Sequence, residues 1–386
     1  MSTPAPAPGS PTSDWPTYMG SPEHTGANLL ERTIAPSNVS RLQEVWNRST
    51  NGSDLSAPIV VNDTVYFGSW NGYEYAVNGS DGAIDWATRL GYDSMCYATG
   101  IESTPAYDHG TLYLGAPNGS WDALNATTGA LRWSYFVGAP SSGYYDWASA
   151  LVVAGSLYIG TSSCDDNPMV PGQLLELSLS GAPTLRHVWN ATPGGEPGTT
   201  VWTTPTLDAS THTIWVATGN DNGTAQPYAQ SMVALNATTL AVQGSWQVPN
   251  VVGTDSDFGA TPTLVSPSSG PGLVVATNKN GRTYAFDRSN ATSAGWGPTW
   301  SIHSGGSFSG AAFDGARVYV GGARGGSPGT VVALEPSNGS IDWARPLPAG
   351  WPRASLTYAD GLVFVGANGT EYALDAQNGS VLWQFA

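Results

Sequence analysis

An eleven-residue pattern that recurs along the chain constrains the fold more than any other feature. It reads ALNATTGALRW at Ala123–Trp133, and related copies occupy Ala76–Trp86, Ala333–Trp343 and Ala373–Trp383. Each copy begins with Ala, has Asn, Glu or Asp at the third position and Gly at the seventh, and ends in Trp. Asn, Asp and Gly favour a tight turn, and the Trp supplies a large ring that docks on a neighbouring element. The pattern therefore predicts a hairpin corner repeated along an array.

Each corner belongs to a longer unit with a constant order of predicted strands. A short strand leads into an apolar, β-branched strand, a third strand enters the corner, and a Trp strand closes the unit. The closing residues lie 40 to 57 positions apart: Trp86, Trp133, Trp189, Trp246, Trp300, Trp343 and Trp383. This order predicts an all-β propeller of four-stranded antiparallel blades, with seven full repeats over residues 14–386. An eighth Trp strand, predicted to end at Trp46, is either an extra seal or part of an eight-bladed closure.

The N-terminal part of the chain carries no such units. Residues 1–13, MSTPAPAPGSPTS, are too rich in Pro, Ala and Ser to form a core, so we expect a flexible linker or the remnant of a processed N-terminus there. The sequence of residues 14–30 predicts an irregular wrapping segment. A formal net charge of −16 argues against binding to nucleic acid or to anionic membranes, and no apolar run is long enough for a transmembrane segment.

Glycosylation signals and cysteines point to an extracellular or cell-surface protein. The two cysteines, Cys96 and Cys164, could form one disulfide in an oxidising compartment. Asn-X-Ser/Thr triplets predict N-linked glycans, although a chain rich in Asn, Gly, Ser and Thr also forms such triplets by chance. They begin at Asn38, Asn47, Asn51, Asn62, Asn78, Asn118, Asn125, Asn190, Asn222, Asn236, Asn290, Asn338, Asn368 and Asn378.

The corner resembles the tryptophan-docking motif of quinoprotein dehydrogenases, which are propellers that use pyrroloquinoline quinone (PQQ). The opening DWPTYMG…HTG…NVSRLQEVW is also similar to the start of those enzymes, so the resemblance covers residues 14–386. Two segments, SSCDDNPMVPGQLLEL and DSDFGATPTLV…NKNG, resemble most closely the secreted polyvinyl-alcohol-dehydrogenase-like propellers. The same repeat also builds non-catalytic scaffolds, so the fold alone does not establish an activity.

The resemblance implies a cofactor and calcium site in the middle of the chain. In GTTVWTTPTLD and IWVATGND it makes Trp202 the ring beneath the quinone and Asn220 a calcium ligand. In YIGTSSCDD it makes Ser162 a cofactor-binding residue and Asp165 the second calcium ligand. The alternatives are a core tryptophan, a turn asparagine and a solvated Asp-Asp loop.

Two further matches carry the implied chemistry. Asp257 in DSDFGATPTLV matches the family's catalytic base, and Lys279 in NKNGRTYAFDR matches the cation that contacts the quinone carbonyls. Lys279 is also the single lysine of the chain. The alternative for Asp257 is an aspartate that caps a turn at the entrance of a strand.

The chain also departs from the family pattern. The adjacent cysteine pair that usually covers the cofactor is replaced by Met95 and Cys96, so a bond from Cys96 to Cys164 is the alternative route to a disulfide near the pocket. The arginine expected a few residues later is absent, and its region reads Ile101, Glu102, Ser103. PQQ is a tricarboxylate, so this loss predicts weaker binding. No haem-attachment motif is present in the sequence.

Two hypotheses from different classes remain. The first is an exported quinoprotein dehydrogenase that oxidises a small alcohol or carbohydrate with PQQ and Ca²⁺. The second is a non-catalytic scaffold that binds a polysaccharide, an envelope protein or another copy of itself. A hydrolase has little support, because no histidine has metal-ligand spacing. The first hypothesis requires that Trp202, Asp165, Asn220, Asp257 and Lys279 line one pocket on the same face.

Overall fold

The structure is a computed structural model that describes residues 14–323 and 328–386. The linker predicted at 1–13 lies outside the described residues. In the described part of the chain, helical content is confined to short 3-10 turns at Tyr18–Gly20, Val39–Arg41, Pro140–Ser142 and Arg288–Asn290. Within the described ranges, no helix has the length and apolarity needed to cross a membrane.

The strands form seven separate antiparallel sheets, each built from four strands that are consecutive in the chain. The predicted all-β, seven-bladed propeller is therefore confirmed. Blades one to three comprise β2 to β13: Ile59–Val61, Thr64–Gly68, Tyr73–Asn78, Ile84–Arg89; Ala106–Asp108, Thr111–Ala116, Ser120–Asn125, Leu131–Phe136; Leu151–Val153, Ser156–Gly160, Gln173–Ser178, Thr184–Asn190.

The remaining blades continue the same order around the ring. Blades four to seven comprise β14 to β29: Thr206–Asp208, Thr213–Ala217, Ser231–Asn236, Val242–Gln247; Thr263–Val265, Leu273–Thr277, Arg282–Asp287, Pro298–His303; Ala312–Phe313, Val318–Gly322, Thr330–Leu334, Ile341–Pro346; Thr357–Ala359, Leu362–Ala367, Thr370–Asp375, Val381–Phe385. A short strand near the N-terminus, β1 at Ala27–Asn28, adds to blade seven by parallel pairing with β26.

Where the corner recurs, it joins a blade to the one before it. The indole Nε1 of Trp86, on the outer strand of blade one, donates to the carbonyl of Ala126 in the corner of blade two at 2.9 Å. Its ring lies against Gly129, where an added Cβ would come within 2.5 Å of the indole. Gly129 also has a φ of +69°, so both space and backbone conformation require glycine. The same docking recurs where Trp343 donates to the carbonyl of Ala376.

The strand predicted to end at Trp46 is absent, and that prediction was wrong. Residues 42–58 contain no strand, because no further strands are available to pair with this segment. Trp46 nevertheless docks like the others, since its Nε1 donates to the carbonyl of Gly79 at 2.8 Å. The closing Trp383 donates to the carbonyl of Leu42 at 3.1 Å. The segment therefore seals the gap between blades seven and one, and no eighth sheet occurs in residues 14–323 or 328–386.

The segment from Trp15 to Gly26 runs along the innermost strands of the propeller and follows the order of the blades. Its backbone carbonyls accept hydrogen bonds from the innermost strands of six blades, and at blade one it pairs with Val60 in both directions. The donors to its carbonyls are Val60, Tyr107, Leu207, Leu264, Phe313 and Tyr358. Because these inner strands would otherwise leave amide groups unpaired at the hub, the segment satisfies them.

Candidate functional site

The predicted site residues share one face of the propeller for a topological reason. In an antiparallel blade, the start of the first strand and the turn between the second and third strands lie on the same face. Trp202 and Asp257 precede the inner strands β14 and β18, whereas Asn220 and Lys279 occupy the turns β15–β16 and β19–β20. Blades four and five therefore bring these four side chains to one side of the ring.

Three of these side chains, those of Trp202, Asp257 and Lys279, form a charged network with the carboxylate of Asp255, which the sequence analysis did not predict. The Nζ of Lys279 lies 2.7 Å from Oδ1 of Asp257 and 2.8 Å from Oδ1 of Asp255. The Nε1 of Trp202 donates to Oδ2 of Asp257 at 2.8 Å. The Lys279 ammonium also lies 4.9 Å from the centroid of the Trp202 ring, in cation–π contact. The three predicted residues are thus mutually positioned.

Burial and charge set the proton affinities within this network. Burial raises the pKa of Asp257 to about 7, because the attraction of Lys279 offsets only part of the cost of desolvating the carboxylate. For Lys279, burial alone would lower the pKa, but the adjacent carboxylates of Asp257 and Asp255 raise it above its usual value. The lysine therefore remains charged, and the aspartate is poised near neutrality, as suits a general base.

Asn220 continues the network towards blade three. Its Nδ2 donates to Asp255 at 3.0 Å and to Asp166 at 3.1 Å, and its Oδ1 accepts from Gln230 at 3.3 Å. Asp165, the predicted partner of Asn220 at calcium, is exposed and accepts only from the backbone of Asp166. Within residues 14–323 and 328–386, no group of three or more His, Cys, Asp or Glu side chains is arranged to hold a metal.

Ser162, predicted to bind the cofactor, is buried beneath the surface of blade three. Its hydroxyl donates to the carbonyl of Tyr145 and accepts from the backbone N–H of Trp147 at 3.3 Å. These bonds anchor the loop that carries Trp147. The structure therefore gives Ser162 a supporting position behind the wall of the site.

Blades one to three contribute an aromatic wall to the same face, formed by Trp70, Tyr97 and Trp147. The ring centroid of Tyr97 lies 6.4 Å from that of Trp70 and 5.8 Å from that of Trp147. The predicted bond between Cys96 and Cys164 is present, with the two Cα atoms 5.6 Å apart. Since Cys96 precedes Tyr97 in the chain, the disulfide ties this wall to the loop of blade three.

Glu102 stands in the region where the resemblance would place an arginine. Its carboxylate accepts from Nε1 of Trp70 at 2.7 Å. Burial raises the pKa of Glu102 to about 7. The aromatic wall therefore offers a hydrogen-bonded carboxyl group and aromatic faces, where an arginine would have offered a positive charge.

A second set of aromatic rings, which we call the aromatic arc, runs from blade four to blade seven. It consists of Trp202, Phe308 and Trp351, with ring centroids separated by 6.3 Å and then 5.1 Å. The guanidinium of Arg353 lies 4.8 Å from the Trp351 ring centroid, in cation–π contact. Lys279 and Arg353 therefore flank the arc.

A cleft of about 570 Å³ adjoins the charged network on its outer side. Loops of blades three to five line it, including Asp166, Asn220, Asp221 and Asp255. Its walls are rich in carboxylate and amide groups, which are suited to hydrogen bonding with hydroxyl groups.

Comparison with known proteins places this architecture in a family. The sequence matches the family described as outer membrane protein assembly factor BamB over residues 37–220 and 246–386. The chain belongs to the PQQ-repeat β-propeller family. The resemblance inferred from the corner motif is thereby confirmed.

The matched relatives of this PQQ-repeat propeller include dehydrogenases. It is 28% identical over 242 residues to a polyvinylalcohol dehydrogenase of Sphingopyxis sp., covering 51% of this chain and 36% of that protein. It is 30% identical over 227 residues to one of Pseudomonas sp., covering 50% of this chain and 35% of that protein. The match thus spans only about a third of the relatives' length.

The fold has relatives among solved structures. A quinohemoprotein alcohol dehydrogenase from Pseudomonas putida superposes with a TM-score of 0.82 at 17% identity, covering 96% of this chain and 72% of that one. At this level of identity the match establishes the architecture.

Several residues of the site escaped sequence reasoning. Asp255 lies two positions before Asp257, so the alternating DSD pattern was the available signal for a second partner of Lys279. Phe308, Trp351 and Arg353 carried no comparable signal, since they come from blades six and seven and meet Trp202 only when the ring closes.

Proposed function

We propose that this propeller is an exported dehydrogenase that oxidises a hydroxyl group of an alcohol or carbohydrate, with PQQ as the electron acceptor. The observation that carries the proposal is the buried Asp257–Lys279 pair, held at 2.7 Å beside the Trp202 ring. The pair combines a base poised near neutral pH with a fixed cation. The disulfide supports export, because disulfides persist in oxidising compartments.

The chemistry of the residues fits the planar part of PQQ. The Trp202 ring is only partly buried, so it offers a flat aromatic surface for stacking, and the Lys279 ammonium lies on that ring. Glu102 is an unfavourable neighbour for the carboxylates of the cofactor. Arg353, on the aromatic arc, is a cation that can pair with them. PQQ, when bound, supplies a quinone that accepts the hydride from the substrate carbon.

The calcium ion fits the described residues less well. Asn220 meets Asp166 and Asp255, and the predicted ligand Asp165 does not take part. We therefore propose that calcium binds with Asn220 as one ligand, and we attribute no step of the reaction to the ion. Asp165 and Ser162 remain predicted contributors without a contact that supports their roles.

In the proposed reaction, the protein's own groups manage the proton and the charge. Asp257 accepts the proton of the substrate hydroxyl, since its raised pKa matches neutral conditions. Trp202 holds the Asp257 carboxylate in place through its indole N–H. Lys279 supplies positive charge where negative charge develops on an oxygen, an effect that is strong in a site shielded from water.

The proposal is tested by mixing the purified chain with PQQ and Ca²⁺ and measuring reduction of an artificial acceptor dye with alcohols and sugars. We expect cofactor binding and dye reduction in the wild type, and loss of at least about 100-fold in rate for Asp257→Asn. Asp85→Asn, an exposed aspartate on the outer strand of blade one, serves as the matched control. Unchanged activity in Asp257→Asn would contradict the proposal.

The second candidate is a non-catalytic scaffold that binds a polysaccharide or an envelope protein, or that self-associates. The observation that favours it is the half-buried Glu102 in place of a cation, because a carboxyl group offers no positive charge to an anionic cofactor. Under this alternative, the wild type neither binds PQQ nor reduces the dye. Glycans at the Asn-X-Ser/Thr triplets remain a prediction, which mass spectrometry of protein purified from its native source would test.

A further inference from the structure

Arg353 is an exposed arginine for which the known features of the site provide no role. Its guanidinium lies over the Trp351 ring at 4.8 Å, and no carboxylate within residues 14–323 and 328–386 forms a salt bridge with it. An arginine held on an aromatic face keeps its charge and its hydrogen-bond donors available. Such a residue is well prepared to bind an anionic group.

The loop that carries Arg353 is anchored on the site face. The carbonyl of Pro352 accepts from the hydroxyl of Ser309 at 3.0 Å, and Pro352 forms a bridge with Ala367. Two residues further on, the hydroxyl of Ser355 lies 2.6 Å from that of Tyr18, in the hub segment Trp15–Gly26 that pairs with the innermost strands. The backbone position of Arg353 is therefore determined by blades six and seven and by the hub segment.

The aromatic arc connects Arg353 to the charged network. The rings of Trp202, Phe308 and Trp351 follow one another, and Lys279 contacts both Trp202 at 4.9 Å and Phe308 at 5.9 Å. Lys279 is already neutralised by Asp255 and Asp257. The rings are tilted by 57° and 43° to one another, so a flat ligand can lie against the arc but stack on only one of them. Such a ligand has its uncompensated positive partner at the Arg353 end.

We propose that Arg353 binds a carboxylate of a planar aromatic ligand that lies against the aromatic arc. This inference rests on the proposed function, in which that ligand is PQQ, and it assigns to blade seven the anion recognition that Glu102 cannot provide. The planar guanidinium suits this role, because it can donate two parallel hydrogen bonds to one carboxylate.

The test is a fluorescence titration of the full chain with PQQ, in which quenching of tryptophan emission reports binding without any turnover. We expect Arg353→Gln to raise the dissociation constant for PQQ about tenfold. Arg317→Gln, which removes an arginine paired with Asp342 in blade six, is expected to leave the constant unchanged. Binding of 9,10-phenanthrenequinone, a planar quinone without carboxylates, should be equal in the wild type and in Arg353→Gln.

The outcomes separate this inference from the proposed function. If the wild type binds PQQ and Arg353→Gln binds it equally well, the role of Arg353 is overturned and the proposed function stands. If the wild type does not bind PQQ, both are overturned. If Arg353→Gln weakens both quinones equally, the residue only supports Trp351, and the proposed carboxylate contact is wrong. Circular dichroism of each variant establishes that its fold is retained.

Discussion

On the blade-four and blade-five side of the site, a buried charge has an opposite charge beside it, whereas on the blade-one to blade-three side it does not. Asp257 contacts Lys279, and Asp255 contacts the same lysine. Glu102 has only the neutral indole of Trp70 as a hydrogen-bond partner. Both Asp257 and Glu102 have a pKa raised to about 7 by burial, but only Asp257 has a cation within reach.

This difference indicates which side of the site can stabilise a charge that develops during a reaction. A carboxyl group that lacks a cation binds a proton and becomes neutral when it is buried. A carboxyl group beside an ammonium group can exchange a proton while the adjacent lysine compensates the negative charge that forms. The aromatic wall is thus suited to holding a neutral, hydroxyl-bearing ligand, and the charged network is suited to chemistry.

The largest expected effect comes from breaking the charged network at its only cation. Lys279→Met leaves Asp257 buried beside Asp255 without compensation, so we expect the free energy of unfolding to fall by about 4 kcal/mol at pH 8. Urea titration measures this change. The double variant Lys279→Met with Asp257→Asn removes both buried charges, and we expect it to regain at least half of the loss. If the double variant is as unstable as Lys279→Met, the pair is not a coupled unit.

The next-largest effect concerns the disulfide that anchors the aromatic wall. Replacing Cys96 and Cys164 by Ser removes the bond between two loops separated by 68 residues, so we expect a loss of about 3 kcal/mol in the free energy of unfolding. The network should be unaffected, because none of its hydrogen bonds involves either cysteine. Comparison of urea midpoints with and without reductant provides the measurement. Stability that does not change on reduction would argue that the wall is held by ring packing alone.

The smallest expected effect is a pH-dependent change in stability caused by Glu102, the carboxyl group that has no cation beside it. Burial raises the pKa of Glu102 from 4.5 to about 7, so the folded protein favours the protonated form. The stability cost is absent below pH 4.5, grows as pH rises towards 7, and is constant above it. We expect Glu102→Gln to match the wild type at pH 4 and to exceed it by about 2 kcal/mol at pH 8.

The matched control for this pH comparison is Glu196→Gln, which changes an exposed glutamate. Its difference from the wild type should stay near zero at every pH. A difference between Glu102→Gln and the wild type that is independent of pH would contradict the assigned titration.

The blades were predictable because their signals are local. A corner with Gly at the seventh position and Trp at its end needs only neighbouring units of the same kind, as the docking of Trp86 on Gly129 illustrates. Trp46 shows the limit of this reasoning. It docks on blade one as the pattern implies, but it forms no strand, because a strand needs a partner with free backbone groups and none is present there.

The site was predictable only in part. Trp202, Asp257 and Lys279 were predicted as one group from a resemblance, and the structure places them in direct contact. At the predicted calcium position the side chain that reaches Asn220 is Asp166, one residue beyond Asp165. A motif specifies only the spacing of residues along the chain, whereas the direction of each side chain depends on the conformation of the loop that carries it.

The sequence by itself determined the repeat and the number of full blades, since these depend on spacing along the chain, and its resemblance to a known family predicted Trp202, Asp257 and Lys279 as one group. Only the tertiary structure decided that the N-terminal segment pairs with the innermost strands, that Asp255 shares Lys279, and that Phe308, Trp351 and Arg353 extend the surface of Trp202. The physical reason is the closed ring: it brings together side chains from blades far apart in the chain, and no local pattern records which of them will meet.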